Sequence, residues 1–225
     1  MPRFKFTPFQ LAVHFGSLVP LAVLVWDFFA DNLTANPIQE VTFRTGKTAL
    51  VLLVLSLSCT PLNTVFGFRA ALKVRRALGL YAFFYVCLHL LIFVGLDYGF
   101  DLGLIYEAIF EKRYALVGFA AFLTLIPLAL TSTPASMRLL GKKWKTLHRL
   151  VYLTAPLVIV HYLWLVKTDI RQPLLFGAIV VVLLVLRLPA VRKVIHLPRP
   201  NFFAARRTAE KVQGEPPLPG VISEN

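Results

Sequence analysis

The chain has 225 residues, of which 57% are hydrophobic and only 16% charged, with a formal net charge of +13 and a mean hydropathy of +0.70. So apolar a composition excludes an ordinary soluble domain and points to a single membrane-embedded bundle, with no room for a second large domain. The positive charges fall between apolar runs, which makes them a topology signal and argues against a nucleic-acid partner.

Six apolar segments follow one another at 9–29, 48–66, 78–98, 114–131, 148–166 and 174–190, each near the length needed to span a bilayer. The first follows Arg3 and Lys5 but has no convincing small-residue cleavage site, so it is read as a retained span. Between the first two lies the longest polar stretch, 31–47, where Asn36-Pro37-Ile38-Gln39-Glu40 is expected to start a short surface helix. Cys59 and Cys87 lie inside apolar runs and form neither a CxxC pair nor a CxxCH motif. That argues against a disulfide framework, a zinc site and covalent haem attachment. Pro61, Pro127 and Pro156 sit where they can bend spans. Trp26, Trp144 and Trp164 fall near span ends, as interfacial anchors do. No internal repeat is visible. The fold expected is therefore all-α integral membrane: six transmembrane helices over residues 1–197, then a disordered cytoplasmic tail at 198–225 rich in Pro, Arg and Glu.

Orientation follows from Lys and Arg in the short loops. With the N-terminus inside, eighteen of the 24 basic residues are cytoplasmic and six are outside, while eight of the eleven acids fall outside. Both termini are thus expected in the cytoplasm.

The histidines carry the chemistry. His89 lies 11 residues into the third span and His161 lies 13 residues into the fifth, counted from the inner side, or about 17 and 20 Å deep. Two imidazoles at one depth on facing helices suit the axial ligation of a haem held inside a bundle. Intramembrane ionisable residues are functional by default. The competing reading is a pair of interior histidines bonded to backbone or hydroxyls. His148 sits at the inner edge beside Lys142, Lys143, Lys145 and Arg149. It lies about 220° around a straight helix from His161, so sharing that face requires a distortion, for which Pro156 is the expected place. His148 is read as a contact to a second haem iron or to a flavin. Arg75 and Arg76, opposite His148, suit haem propionates or a flavin phosphate, although positive-inside topology alone also accounts for them. His14 is shallow, and His196 lies in the basic tail.

These segments resemble the MsrQ family. The resemblance is carried by Thr45-Gly46-Lys47-Thr48-Ala49-Leu50, Arg75-Arg76-Ala77-Leu78-Gly79-Leu80, His89 and Thr131-Ser132-Thr133. It is also carried by Gly141-Lys142-Lys143-Trp144 running into Leu147-His148, and by His161-Tyr162-Leu163-Trp164. It covers nearly the whole chain except the tail, and extends to the wider ferric-reductase-like transmembrane group. The resemblance implies a bacterial inner-membrane, multi-pass electron-transfer subunit holding haem b (one or two) and FMN. Its electrons would come from a cytoplasmic flavin reductase or the quinone pool. They would pass to a periplasmic molybdopterin-dependent methionine-sulfoxide reductase subunit that repairs oxidised proteins. It further implies His89 and His161 as the outer haem pair and His148 as the inner histidine. The wider group carries a further histidine 13 or 14 residues before the outer one in the third span, where this chain has Arg76 and Arg75. One haem with an inner flavin, or a second haem with a different ligand, both remain open.

With no GxGxxG-type fingerprint in the sequence, the electron source is expected to be a separate protein or quinol. Two rivals carry distinct expectations. A stand-alone ferric or quinone reductase would reduce its substrate with no periplasmic partner, and a small transporter with a histidine path would purify colourless.

Overall fold

The computed structural model describes residues 7–166 and 168–191, and among them every regular element is helical, with no strand. In chain order these are α1 (Pro8–Phe29), α2 (Pro37–Phe66), α3 (Arg69–Ile92) continued by a π-helical turn (Phe93–Asp97), α4 (Leu102–Glu111) and α5 (Arg113–Leu130). Then come α6 (Pro134–Leu140), α7 (Lys142–Leu147), a 3₁₀ turn (His148–Leu150), α8 (Val151–Leu165) and α9 (Arg171–Val185). Four stretches are long and apolar enough to cross a membrane: α1, α2, α3 with its π-helical turn, and α5. Helices α8 and α9 have 15 residues each. That is about 22 Å of helix against a hydrocarbon core of about 30 Å. The molecule is a multi-pass helical membrane protein, and its apolar exterior agrees: Phe15, Phe29, Leu130 and Val181 are all exposed. The tail expected at 198–225 lies outside the described residues.

One local device starts three of the helices, a polar cap followed by proline. Thr7 precedes Pro8, Asn36 precedes Pro37 and Thr133 precedes Pro134, and each cap side chain accepts a backbone N–H of the first turn. The sequence suggested a surface helix at Asn36 and a separate span from Thr48. Instead α2 runs unbroken for 30 residues. Nothing between the two breaks a helix, and the polar residues there find partners. Arg44 pairs with Asp27 of α1 and, at 2.6 Å, with Glu40 one turn back. The stretch 131–147, read as a loop, folds into α6 and α7, separated by Gly141 at φ 50°.

Helices α2 and α3 form one antiparallel hairpin, and α5 and α8 form another. Within each the helices pack closely, while direct contact between the hairpins is sparse. The stacked rings of Phe83 on α3 and Phe122 on α5, 6.1 Å apart, are one bridge. The buried core runs along α2 and α3 through Leu50, Leu53, Leu57, Val74, Leu78 and Ala82, joined by Ala155 and Ile159 of α8 and Val180 of α9.

Besides the Asp27–Arg44 pair, helix α1 is fastened to this core by a hydroxyl at its middle. Pro20 lies inside α1, where proline lacks an N–H and crowds the preceding turn. Beside it, the buried Tyr85 of α3 donates its O–H to the Ser17 carbonyl at 2.8 Å and accepts the Leu21 N–H at 3.1 Å. The phenol thus bridges an i, i−4 pair of α1 and meets backbone groups that lipid cannot. At the opposite edge, Arg187 donates Nη2–H to the Leu57 carbonyl of α2 at 2.5 Å and lies 5.6 Å over the Tyr152 ring of α8. Lys112, between α4 and α5, donates to the Tyr98 hydroxyl at 2.7 Å, which holds its ammonium above the usual lysine range.

Candidate functional site

His89 stands near the end of α3 and His161 near the end of α8, so the two hairpins bring them to one level. Their ring centroids are 6.2 Å apart and their planes cross at 87°. Two imidazoles on opposite sides of one metal ion, with each ligating nitrogen about 2 Å from it and about 1.1 Å from its own ring centre, put those centres about 6 Å apart. The observed spacing is that of a metal sandwich.

The proton positions agree with that spacing. His89 Nδ1 lies 3.0 Å from the Thr42 carbonyl oxygen, and His161 Nδ1 lies 2.7 Å from the Tyr114 carbonyl oxygen. A carbonyl only accepts, so each Nδ1 carries the proton and donates it. The neutral ring then keeps its lone pair on Nε2, which is the tautomer a metal requires. Neither ring is a satisfied interior histidine in the full sense, because the backbone bond uses one nitrogen and prepares the other. Among the described residues no cluster of three or more His, Cys, Asp or Glu could hold a bare metal ion. Two imidazoles alone suit a metal that arrives with its other ligands in a macrocycle, so these residues fit a haem.

Each ring lies against a glycine. A Cβ built on Gly46 would stand 3.1 Å from His89 Nδ1, and one on Gly118 would stand 2.5 Å from His161 Nδ1. The two settings share one plan. The accepting carbonyl is four residues before the glycine, the glycine is 43 residues before the histidine, and the second set is displaced from the first by 72 residues. The sequence reading found no repeat and missed all four of these partners. Helical glycines pass as mere weak points in a sequence, whereas the paired Gly-to-His spacing was there to be counted.

His148 is set differently. It opens the 3₁₀ turn between α7 and α8, so the helix is distorted at His148 itself while Pro156 sits within α8. Its Nε2 lies 3.0 Å from the Thr131 hydroxyl, and that hydroxyl donates its proton to the Pro127 carbonyl at 2.6 Å. His148 therefore donates from Nε2, the opposite tautomer to His89 and His161. Trp144 stacks on the imidazole with centroids 4.0 Å apart and planes at 29°, and donates its indole N–H to the Thr131 carbonyl at 2.9 Å. Of the arginines singled out, Arg75 donates to Thr60 Oγ1 at 3.0 Å, and both Arg75 and Arg76 are exposed. Arg75 is close enough for His148 to feel its charge. In the 72-residue displacement, the position matching His148 is Arg76. His14 meets the Tyr81 hydroxyl at 3.0 Å, Cys59 and Cys87 are free thiols, and His196 lies outside the described residues.

Comparison with known proteins agrees with this arrangement. Residues 44–159, which hold His89, Tyr114, both glycines and all of α3 and α5, match the family model described as ferric reductase like transmembrane component, though Thr42 lies two residues before the match and His161 two residues beyond it. A Rhodospirillum rubrum protein named protein-methionine-sulfoxide reductase heme-binding subunit MsrQ is 46% identical over 186 residues, covering 82% of this chain and 89% of that one. Proteins of the same name from Xanthomonas axonopodis pv. citri and Xanthomonas campestris pv. campestris (strain 8004) are 44% and 43% identical. They match over 76% and 78% of this chain, and 82% and 83% of their own lengths. No solved structure matches.

Proposed function

The chain belongs to the ferric-reductase-like transmembrane family and, within it, to the MsrQ subunits, and from that premise we propose that it is a haem b-containing electron-transfer subunit of the bacterial inner membrane. It passes electrons from the cytoplasmic side to a periplasmic methionine-sulfoxide reductase subunit. The observation that carries this reading is the 6.2 Å separation of His89 and His161 with both Nδ1 protons fixed on carbonyls.

In this reading His89 and His161 would hold one haem iron through their free Nε2 atoms. Haem bound there supplies a one-electron carrier. The protein holds the two imidazoles at one height, strengthens them as donors through the Thr42 and Tyr114 carbonyls, and surrounds them with apolar helices that exclude water. His148, Arg75 and Arg76 form the inner cofactor contact. They would hold either FMN, with the arginines available to its phosphate, or a second haem, with His148 available to its iron and the arginines to its propionates. To ligate through Nε2, His148 must first release Thr131.

Residues 1–197 act as a six-pass unit with α8 and α9 as the short passes and both termini cytoplasmic. The three-to-one excess of Lys and Arg in the loops of one side supports this. Electrons enter from a cytoplasmic flavin reductase or the quinone pool and leave to a molybdopterin-dependent partner. The relatives' shared name supports the reductase as that partner.

The test is the visible spectrum of the purified protein. Wild type should show low-spin haem, and His89→Ala and His161→Ala should each abolish it. A colourless wild type, or an unchanged spectrum in both variants, rejects the pair as ligands. Reconstitution with the periplasmic subunit and methionine sulfoxide then checks the direction of transfer.

A further inference from the structure

The carbonyls that bind His89 and His161 are already occupied in the helix ladder: within α2 and α5, the residue four positions on donates its N–H to each. Those residues are Gly46 and Gly118. In an α-helix each Cα–Cβ bond leans toward the N-terminus, so a side chain covers the turn before it and screens the carbonyl four residues back. At Thr42 and Tyr114 the ring closes on the carbonyl through the space a Cβ of the covering residue would fill, and that residue has no side chain. We propose that Gly46 and Gly118 are positioning residues for the two imidazoles. They uncover the Thr42 and Tyr114 carbonyls, lock each ring in the Nδ1–H tautomer and hold the ring planes nearly perpendicular.

Three observations carry this. The glycines occupy the one helical position, i+4 from the acceptor, where a side chain would intervene. The built Cβ on Gly118 falls 2.5 Å from Nδ1 and 2.8 Å from Cε1 of His161, a clash, and that on Gly46 falls 3.1 and 3.2 Å from the same atoms of His89, a tight contact. The same device occurs twice at the same spacing and the resulting ring planes stand at 87°. Glycine in a helix interior is otherwise a cost to the helix, and here the cost coincides with both rings. The two sites are unequal, because the second ring is held closer to its carbonyl and to its glycine than the first.

The inference rests on the haem reading, and its test separates the two. Axial imidazoles with crossed planes give a strongly anisotropic low-spin ferric resonance, whereas parallel planes give a less anisotropic, rhombic one. A ring that loses its carbonyl becomes a weaker donor, which raises the reduction potential. Gly46→Ala, Gly118→Ala and, as a control, Gly16→Ala are purified in detergent, with haem content, ferric paramagnetic resonance and midpoint potential as readouts. Gly16 lies inside α1 of the same bundle, where a Cβ would meet nothing within 4 Å.

The expected result for Gly118→Ala is haem binding weakened by about 10-fold or more, the usual effect of losing a ligand's outer partner. Any haem it retains should have a raised potential and reduced anisotropy. Gly46→Ala should keep its haem and shift in the same direction by less, and Gly16→Ala should match wild type. Wild-type resonance and potential in both Gly46→Ala and Gly118→Ala overturn the proposal while leaving the haem reading intact. Equal losses in Gly16→Ala overturn it as well, since the cause would then be packing in general. If Gly118→Ala does not accumulate, Gly46→Ala decides alone, with a raised potential supporting the role and a wild-type one ending it. A wild type without haem defeats the haem reading itself.

Discussion

The two histidine regions of this molecule differ in what the backbone has done to them. At the end of α3 and α8, two imidazoles face each other with their Nδ1 protons spent on carbonyls and their Nε2 lone pairs left over. At the start of α8, His148 has Nε2 turned to a hydroxyl and its face covered by an indole, and the equivalent register of the other hairpin holds Arg76. Both regions contain histidine at the edge of an apolar helix, yet only one is prepared for a metal. The difference teaches that ligand readiness lies in the acceptor behind the ring, since that acceptor decides which nitrogen stays free.

The contrast is open to breakage, beginning with the largest effect. His89→Ala or His161→Ala should remove the low-spin haem signal entirely, and the double variant should look no worse, because one missing axial ligand already dismantles the pair. The absorbance of purified protein checks this. His148→Ala should leave that signal in place and lower only the remaining cofactor, read as haem-to-protein ratio and flavin fluorescence. Loss of the pair's signal would mean that the two regions are one site. Tyr85→Phe should separate fold from site. It strips the hydroxyl between Ser17 and Leu21 and should cost about 1–3 kcal/mol, the penalty for stranded buried polar groups. Thermal unfolding in detergent measures this, and the haem spectrum should be unchanged. The smallest effect is expected for Thr131→Val, which removes the partner of His148 Nε2 at a cost of about 1 kcal/mol. By freeing the ring it should alter the spectrum of the inner cofactor alone.

Much of this was legible from residue counting. The matched depths of His89 and His161 follow from span boundaries, and the structure brings their rings within 6.2 Å of each other across two hairpins. The continuous α2 was not legible, because Asn36-Pro37 is a strong helix start and the charged stretch after it reads as surface. Pairing of Arg44 with Asp27 and Glu40 is a tertiary fact that hydropathy does not contain. Helices α6 and α7 were missed although Thr133-Pro134 repeats the cap-and-proline start of α1, since polar segments between spans read as loops by default. The 3₁₀ turn at His148 was not legible, whereas Pro156, a possible place for distortion in the sequence, sits within α8. Proline within an apolar bundle is tolerated where neighbours satisfy the freed carbonyl, while a 3₁₀ turn tightens the chain at His148 itself. The glycines behind the rings went unnoticed because a helical glycine reads as a weak point, although their shared 43-residue spacing to the histidines is in the sequence.

The sparse contact between the two hairpins has a consequence for assembly. Each half is a closely packed unit that carries one imidazole, one carbonyl and one glycine, and neither half alone can grip a metal from both sides. A group clasped between them would therefore act as a rivet across a sparse seam of the bundle, and mass action would make its binding free energy part of the cohesion of the halves. Cells starved of the rivet would make a chain whose halves form and then drift, ready for the protease before they are ready for the electron.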